Sequence, residues 1–252
     1  MFDVASANFD GSRRDSQMAR KQGTRPSGGP PRDSGALDVL LADYAAGSLS
    51  RPLHALVASH LAISARNRNF AGALEGLCGH RLREIEPAPI ADREKCLAAV
   101  FAAQQAAEGA GRASTWSAML PLPLQRYMGP SATEPRWQTL LPGLRYCRLD
   151  PDGSATAGLY WIAAGQKFPR HSHEGAEITL VLKGGMCDAT GHYQRGDIAI
   201  ADAEIEHSPS MDADEDCVCF IVTDGALRFG GRKGTALNRL IAGEGGSQMS
   251  GA

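Results

Sequence analysis

Histidines at 171 and 173 and a glutamate at 177 stand two and four residues apart. Successive side chains of an extended chain alternate between faces, so an approximately regular strand aims His171, His173 and Glu177 the same way. Two imidazoles and a carboxylate on one interior face suit Zn, Fe, Mn or Ni. A fourth ligand has to come from a neighbouring strand. The segment from Gly196 to His207 supplies it, with a glycine turn, a strand over Asp197–Ala201, a second turn and then the histidine. Folded back on the first segment, it carries His207 to the open side of the cluster. These four residues are the candidate metal site, with room left for water or a substrate. Glu174 has the wrong strand parity, and His192 falls in the turn between the two segments, where solvent is its expected surroundings.

The rest of the chain divides by periodicity. Residues 1–34 are rich in Gly, Ser, Arg, Asp and Pro without helical or strand period, and are expected to be a disordered leader. A helical domain is expected over 35–108. Leu37, Leu40, Leu41 and Tyr44 mark a first helix that stops at Gly47. Ser50 is placed to cap a second helix, with Pro52 in its first turn and an apolar stripe from Leu53 to Ile63. Phe70, Leu74, Leu77 and Cys78 mark a third, and Leu97, Val100, Phe101 and Gln104 a fourth after Pro87 and Pro89. Residues 109–124 read as a linker. From 125 to 242, short strands alternate with turns such as Asp150-Pro-Asp-Gly153, Lys183-Gly-Gly185 and Arg195-Gly-Asp197, the pattern of an all-β sandwich or barrel. Residues 243–252 are expected to form a frayed tail.

The formal net charge of −2 gives no electrostatic case for direct nucleic-acid binding or an anionic membrane. The longest apolar runs, Ile198–Ala201 and Val218–Val222, are too short to span a bilayer, and Met1–Asp10 lacks the pattern of a secretory signal. A cytoplasmic location is expected. There the six cysteines are expected to be reduced thiols. Cys217 and Cys219 fall on one face of a strand and read as small buried residues. A redox role for them or for Cys187 stays open.

Gly165-Gln-Lys-Phe-Pro-Arg-His171-Ser-His173-Glu-Gly-Ala-Glu177, continuing to Gly184, resembles the first cupin motif at every defined position. Gly196 and His207 match the second, which is departed from at Asp202, Glu204 and Met211, positions in a turn rather than in the ligand set. The implied fold class is α + β, a small N-terminal helical bundle followed by a cupin-type antiparallel β-barrel of the jelly-roll kind.

Over residues 36–242 the chain resembles the ChrR family of anti-sigma factors. The resemblance rests on Tyr44-Ala-Ala-Gly-Ser-Leu-Ser50, Val57-Ala-Ser-His-Leu61, Leu159-Tyr-Trp-Ile162, Glu177-Ile-Thr-Leu-Val-Leu182, Gly196-Asp-Ile-Ala-Ile-Ala-Asp202, Glu206-His-Ser-Pro209, Cys217-Val-Cys219 and Leu227-Arg-Phe229. It implies a helical domain that binds and occludes an ECF-type RNA polymerase sigma factor. It also implies a cupin needed for release on an oxidative signal such as singlet oxygen or organic hydroperoxide. Zinc is the implied metal, held in the cupin through His171, His173, Glu177 and His207, with Fe or Mn as alternatives. Oligomeric state is left open.

One departure is substantial. Zinc-binding anti-sigma domains carry His-x3-Cys-x2-Cys and an upstream histidine. Here His60 stands at the histidine, but Ser64 and Asn67 replace the cysteines, and Gly35 falls about where the upstream histidine belongs. A hydroxyl and an amide are poor substitutes for two thiolates, so the helical domain is expected to hold no zinc, with His60 a partly buried helix residue. The alternatives to a non-enzymatic regulator are a metal-dependent cupin dioxygenase acting on a small molecule, and a metal-based sensor with no sigma partner. Against the dioxygenase, no arginine or tyrosine cluster surrounds the motifs to anchor a substrate.

Overall fold

The computed structural model describes residues 34–107, 115–129, 134–149, 155–203, 205–230 and 234–242. The expected leader and tail, apart from Ser34, lie outside them, as does Glu204. Four helices come first, α1 (Ser34–Ala46), α2 (Arg51–Ile63), α3 (Arg68–Leu82) and α4 (Arg93–Ala107). Gly47 ends α1 at φ 71°, and Ser48 N donates to Asp43 O, closing the helix with a left-handed residue. Ser50 occupies the cap position of α2, but its hydroxyl makes no capping bond; Pro52 instead fixes the first turn. The carbonyls at the far end of α2 are met by Arg68, whose guanidinium donates to Leu61 O at 2.6 Å and Ala62 O at 3.3 Å.

Two further helices, α5 (Thr115–Met119) and α6 (Leu122–Met128), form where the sequence reads as linker and first strands. Leu124 of α6 is fully buried. Its seven-residue helix is too short for a clear period, which is why the segment reads as a connection.

The strands follow: β1 (Gln138–Leu141), β2 (Leu144–Arg148), β3 (Ala155–Ile162), β4 (His171–His173), β5 (Glu177–Lys183), β6 (Gly185–Cys187), β7 (His192–Gln194), β8 (Ile198–Ala201), β9 (Ser210–Met211), β10 (Cys217–Asp224) and β11 (Leu227–Phe229). They pair antiparallel as a six-stranded sheet in the order β1-β2-β3-β10-β5-β8, a three-stranded sheet β7-β6-β9 and a pair β11-β4. Isolated bridges at Lys167–Ser210 and His171–His207 tie the two smaller sheets into one wall. A helix that the sequence did not announce, α7 (Gly234–Ala242), closes the described chain with Leu237 and Ile241 buried.

The six-stranded sheet is covered on both faces, and strand alternation decides what each face meets. Ile178, Leu180 and Leu182 of β5, with Val218, Phe220 and Val222 of β10, join a core that includes Leu41 of α1, Leu56 and Val57 of α2 and Leu124 of α6. Val181 of β5, with Cys217, Cys219 and Ile221 of β10, faces the smaller sheets through Phe168, Met186, Tyr193, Met211 and Phe229. Antiparallel sheets commonly leave one face to water, which gives alternating sequences. Double coverage explains why β5 and β10 read as continuous apolar runs.

Helices and sheet also meet through one polar contact. His60 of α2, 2% exposed, lies 2.6 Å through Nδ1 from the carbonyl of Gly196 in the turn before β8, and 3.0 Å through Nε2 from the Asn67 amide nitrogen. The carbonyl can only accept and the amide NH2 can only donate, so Nδ1 carries the proton and the ring is neutral with both nitrogens satisfied. Gly196 has φ 93°, and a Cβ there would approach Ile63 Cγ2 to 3.0 Å. The turn therefore needs glycine for its conformation and for its fit to α2.

Burial holds the His60 imidazole below its ordinary pKa, against the Gly196 carbonyl and Asp197, which favour the proton. Since the unfolded chain takes up that proton first, stability is intact above about pH 6.5 and declines as pH falls toward the lower folded-state value. The wild-type melting temperature is expected to fall more steeply below that pH than that of His60→Gln; equal slopes would contradict this. At neutral pH, His60→Ala leaves the Gly196 carbonyl and the Asn67 amide without this partner and is expected to cost about 1–3 kcal/mol in denaturant unfolding.

Candidate metal centre

His171 and His173 sit on β4 in the smaller wall, whereas Glu177 opens β5 in the facing six-stranded sheet. The three residues therefore do not share one regular strand as their spacing suggests. The chain turns between them at Gly175, where a Cβ would lie 2.4 Å from Asp224 O. His207 arrives opposite His171 through a two-way backbone bridge, N to O at 3.1 Å in each direction.

The polar atoms converge. His171 Nε2 is 2.9 Å from His207 Nε2 and 3.2 Å from Glu177 Oε2, and His207 Nε2 is 3.4 Å from Glu177 Oε1. His171, His173 and Glu177 are buried, at 1%, 3% and 4% exposure. Burial alone pushes the Glu177 carboxyl up, but hydrogen bonds and charge from His171 and His207 outweigh it and hold the group at about 2. The Glu177 anion in this enclosed space therefore depends on positive charge at the cluster, supplied by the imidazoles or by a metal ion in their place.

Two further observations bear on a metal. His171 Nδ1 donates to Pro169 O at 2.9 Å, and His173 Nδ1 donates to Gly175 O at 2.6 Å. Backbone acceptors at Nδ1 leave Nε2 as the nitrogen available to a ligand, as histidine ligands ordinarily have it. One ligand atom each of His171, Glu177 and His207 lies within 4.8 Å of the others, while His173 stands beside this group, its ring centroid 5.7 Å from that of His207 and 6.4 Å from that of His171. His173 Nε2 is buried and, among the described residues, has no hydrogen-bond partner. A buried imidazole nitrogen without a partner is costly unless something binds it. The donor set, three imidazoles and a carboxylate, fits a divalent ion of the Zn, Fe or Mn kind.

The interior beside these groups is lined by Phe168, Ile162, Met186, Met211 and Ile221, and its cavity is about 20 Å³. That is the scale of a single water rather than of an organic substrate. Phe168 packs edge-on against His171 with centroids 4.9 Å apart and fixes the ring from the apolar side. Tyr146 and Tyr160 lie in the same core, their hydroxyls buried without a partner among the described residues. Burial pushes the Tyr146 phenol up to about 12 and raises that of Tyr160 well above its ordinary value.

Other candidates fall as follows. Glu174 is half-exposed and pairs with Arg228, away from the cluster. His192 is not in a turn: it lies on β7, is partly buried, and is 2.9 Å from Asp212 Oδ2. Short β7 has too few residues for its period to be seen in the sequence. Cys217 and Cys219 are buried with their sulfurs 3.5 Å apart, and Cys219 is pushed well up by the bond to Cys217 and by burial. The carbonyl partners of the histidines depend on tertiary folding and leave no mark in side-chain spacing.

Residues 128–227 match the family model of the ChrR cupin-like domain. The chain is 41% identical over 193 residues to the anti-sigma-E factor ChrR of Cereibacter sphaeroides, covering 76% of this chain and 90% of that protein. Among solved structures it resembles the Rhodobacter sphaeroides SigE complex with the anti-sigma ChrR, at 40% identity and a TM-score of 0.58, over 74% of this chain and 96% of that one. With a relative this similar along most of both sequences, the chain belongs to the ChrR family of anti-sigma factors.

Proposed function

We propose that this protein binds and inhibits an ECF-type RNA polymerase sigma factor through its helical region, and that its cupin holds one zinc ion through His171, His173, Glu177 and His207 and relays an oxidative signal that frees the sigma factor. The observation that carries the reading is the apolar surface left open on α3 and α4. Phe70, Leu77 and Leu82 of α3 are exposed, as are Ile85 and Ile90 in the connection to α4, and Val100 and Phe101 of α4 are each 62% exposed. None of the described side chains of α4 is buried. Apolar surface on this scale is costly in water and suits a protein partner. Of the residues that mark this helix in the sequence, Leu74 and Cys78 of α3 are partly buried, whereas Phe70 and Leu77 are exposed. Its relative's crystallisation with SigE supplies the class of partner.

Zinc in the barrel would compensate the Glu177 charge and occupy the His173 lone pair, joining the two facing walls. Glu177 opens β5, whose other face packs on the helices, and Gly196, bonded to His60, lies in the turn from which β8 pairs with β5. A change at the barrel site thus has a packed route to α2, and a change in how the helices hold their partner is the output of this reading. No helix of the described chain is long and apolar enough to cross a membrane. A cytoplasmic location suits a sigma-factor partner. The similarity to an anti-sigma factor along most of the chain favours this reading over a dioxygenase.

Co-expression with a candidate ECF sigma factor is expected to give a stable complex in which the cupin site holds zinc. No complex, with iron in the barrel, would overturn the proposal in favour of an enzyme. Val100→Asp and Phe101→Asp together are expected to leave the melting temperature nearly unchanged, because both side chains are exposed. The same pair is expected to weaken sigma binding by about 30-fold or more in a titration. Metal analysis is expected to show that His171→Ala and Glu177→Gln each lose about one equivalent of zinc relative to the wild type, while an unchanged zinc content in both would remove these residues as ligands.

A further inference from the structure

On the outer face of the β7-β6-β9 sheet a second set of donor side chains meets. Met186, Tyr193 and Met211 point into the core, so their neighbours Cys187, His192 and Asp212 emerge on the opposite face. Cys187 and His192 are direct partners in the β6–β7 register. Asp212 follows β9 and is fixed by its backbone, with N donating to Gly185 O at 3.0 Å and O accepting from Gly165 N at 2.8 Å. His192 Nε2 lies 2.9 Å from Asp212 Oδ2 and 3.1 Å from Oδ1, and one ligand atom from each of the three residues lies within 4.8 Å of the others.

Room for this convergence comes from Gly185. A Cβ at that position would stand 2.3 Å from Asp212 Oδ2 and 3.2 Å from His192 Nε2, so any larger residue would displace the carboxylate and the ring. All three side chains are partly buried rather than free on the surface, and they come from three different segments. Burial and the carboxylates of Asp212 and Asp188 push the Cys187 thiol up, so this negative surround resists a bare thiolate and favours a bound cation.

We propose that Cys187, His192 and Asp212 form a second metal site, on the outside of the barrel, for a borderline divalent transition ion of the zinc type. A thiolate, an imidazole and a carboxylate are the donors such an ion takes, with bonds of about 2.0–2.3 Å, and a fourth position remains open to water. Binding releases the thiol proton to solvent and involves no redox step. The site is independent of sigma binding and separate from the four-residue cluster, which contains no sulfur.

That difference supplies the test. The full chain, stripped with a chelator and titrated with cobalt(II), is expected to develop a near-ultraviolet sulfur-to-cobalt charge-transfer band. The band is expected to disappear in Cys187→Ser, to require roughly tenfold or more cobalt in Asp212→Asn, as even the loss of an outer-sphere partner has that effect, and to persist in His171→Ala. Circular dichroism of each variant checks folding. Absence of the band in the wild type, its survival in Cys187→Ser, or its indifference to Asp212→Asn and His192→Ala would each overturn the proposal.

Discussion

The double coverage of β5 and β10 is the constraint on which the other features rest. Each strand sends alternate side chains to opposite cores, so neither the helices nor the smaller wall can shift without disturbing the sheet between them. Glu177 sits at the start of β5 with its side chain on the inner face, directly followed by Ile178 on the helix-facing side. A substitution at Phe220 or Leu180 would accordingly be felt by the helices, and one at Val181 or Cys219 by the candidate metal centre. The packing makes the cupin and the first helices neighbours in one mechanical unit.

His60 gives that unit its polar contact. In a zinc-binding anti-sigma domain this position would serve a metal. Here the Asn67 amide is placed against Nε2, and Nδ1 reaches across to the barrel at Gly196. Hydrogen bonds thus satisfy a buried imidazole without thiolates, and apolar packing around Leu41, Leu56, Val57 and Ala71 supports the helices. The arrangement retains a buried charge-sensitive group between the parts of the chain that a relay has to connect.

Much of this was legible in the residues. The spacing singled out His171, Glu177 and His207, which the fold brings together, and the four longer helices follow from their apolar periodicity. Less legible was anything that depends on which segments meet. His171 and Glu177 share parity, yet come from facing sheets because the chain turns at Gly175. α6 is too short for its period to stand out, and the strand position of His192 depends on a hairpin with Cys187. The exposure of Phe70, Val100 and Phe101 could not be separated from core packing by sequence pattern, since an apolar helix face is written the same way for either use.

On the proposed function, the state of the cupin metal site reaches the helical region through α2, which packs on the sheet and bonds to Gly196 through His60. Hydrogen exchange on the full chain, zinc-loaded and chelator-treated, tests it directly. Removing zinc is expected to raise exchange in β4 and β5 and also in α2, over Arg51–Ile63. Exchange changes confined to residues 171–207, with α2 unaltered, would contradict it.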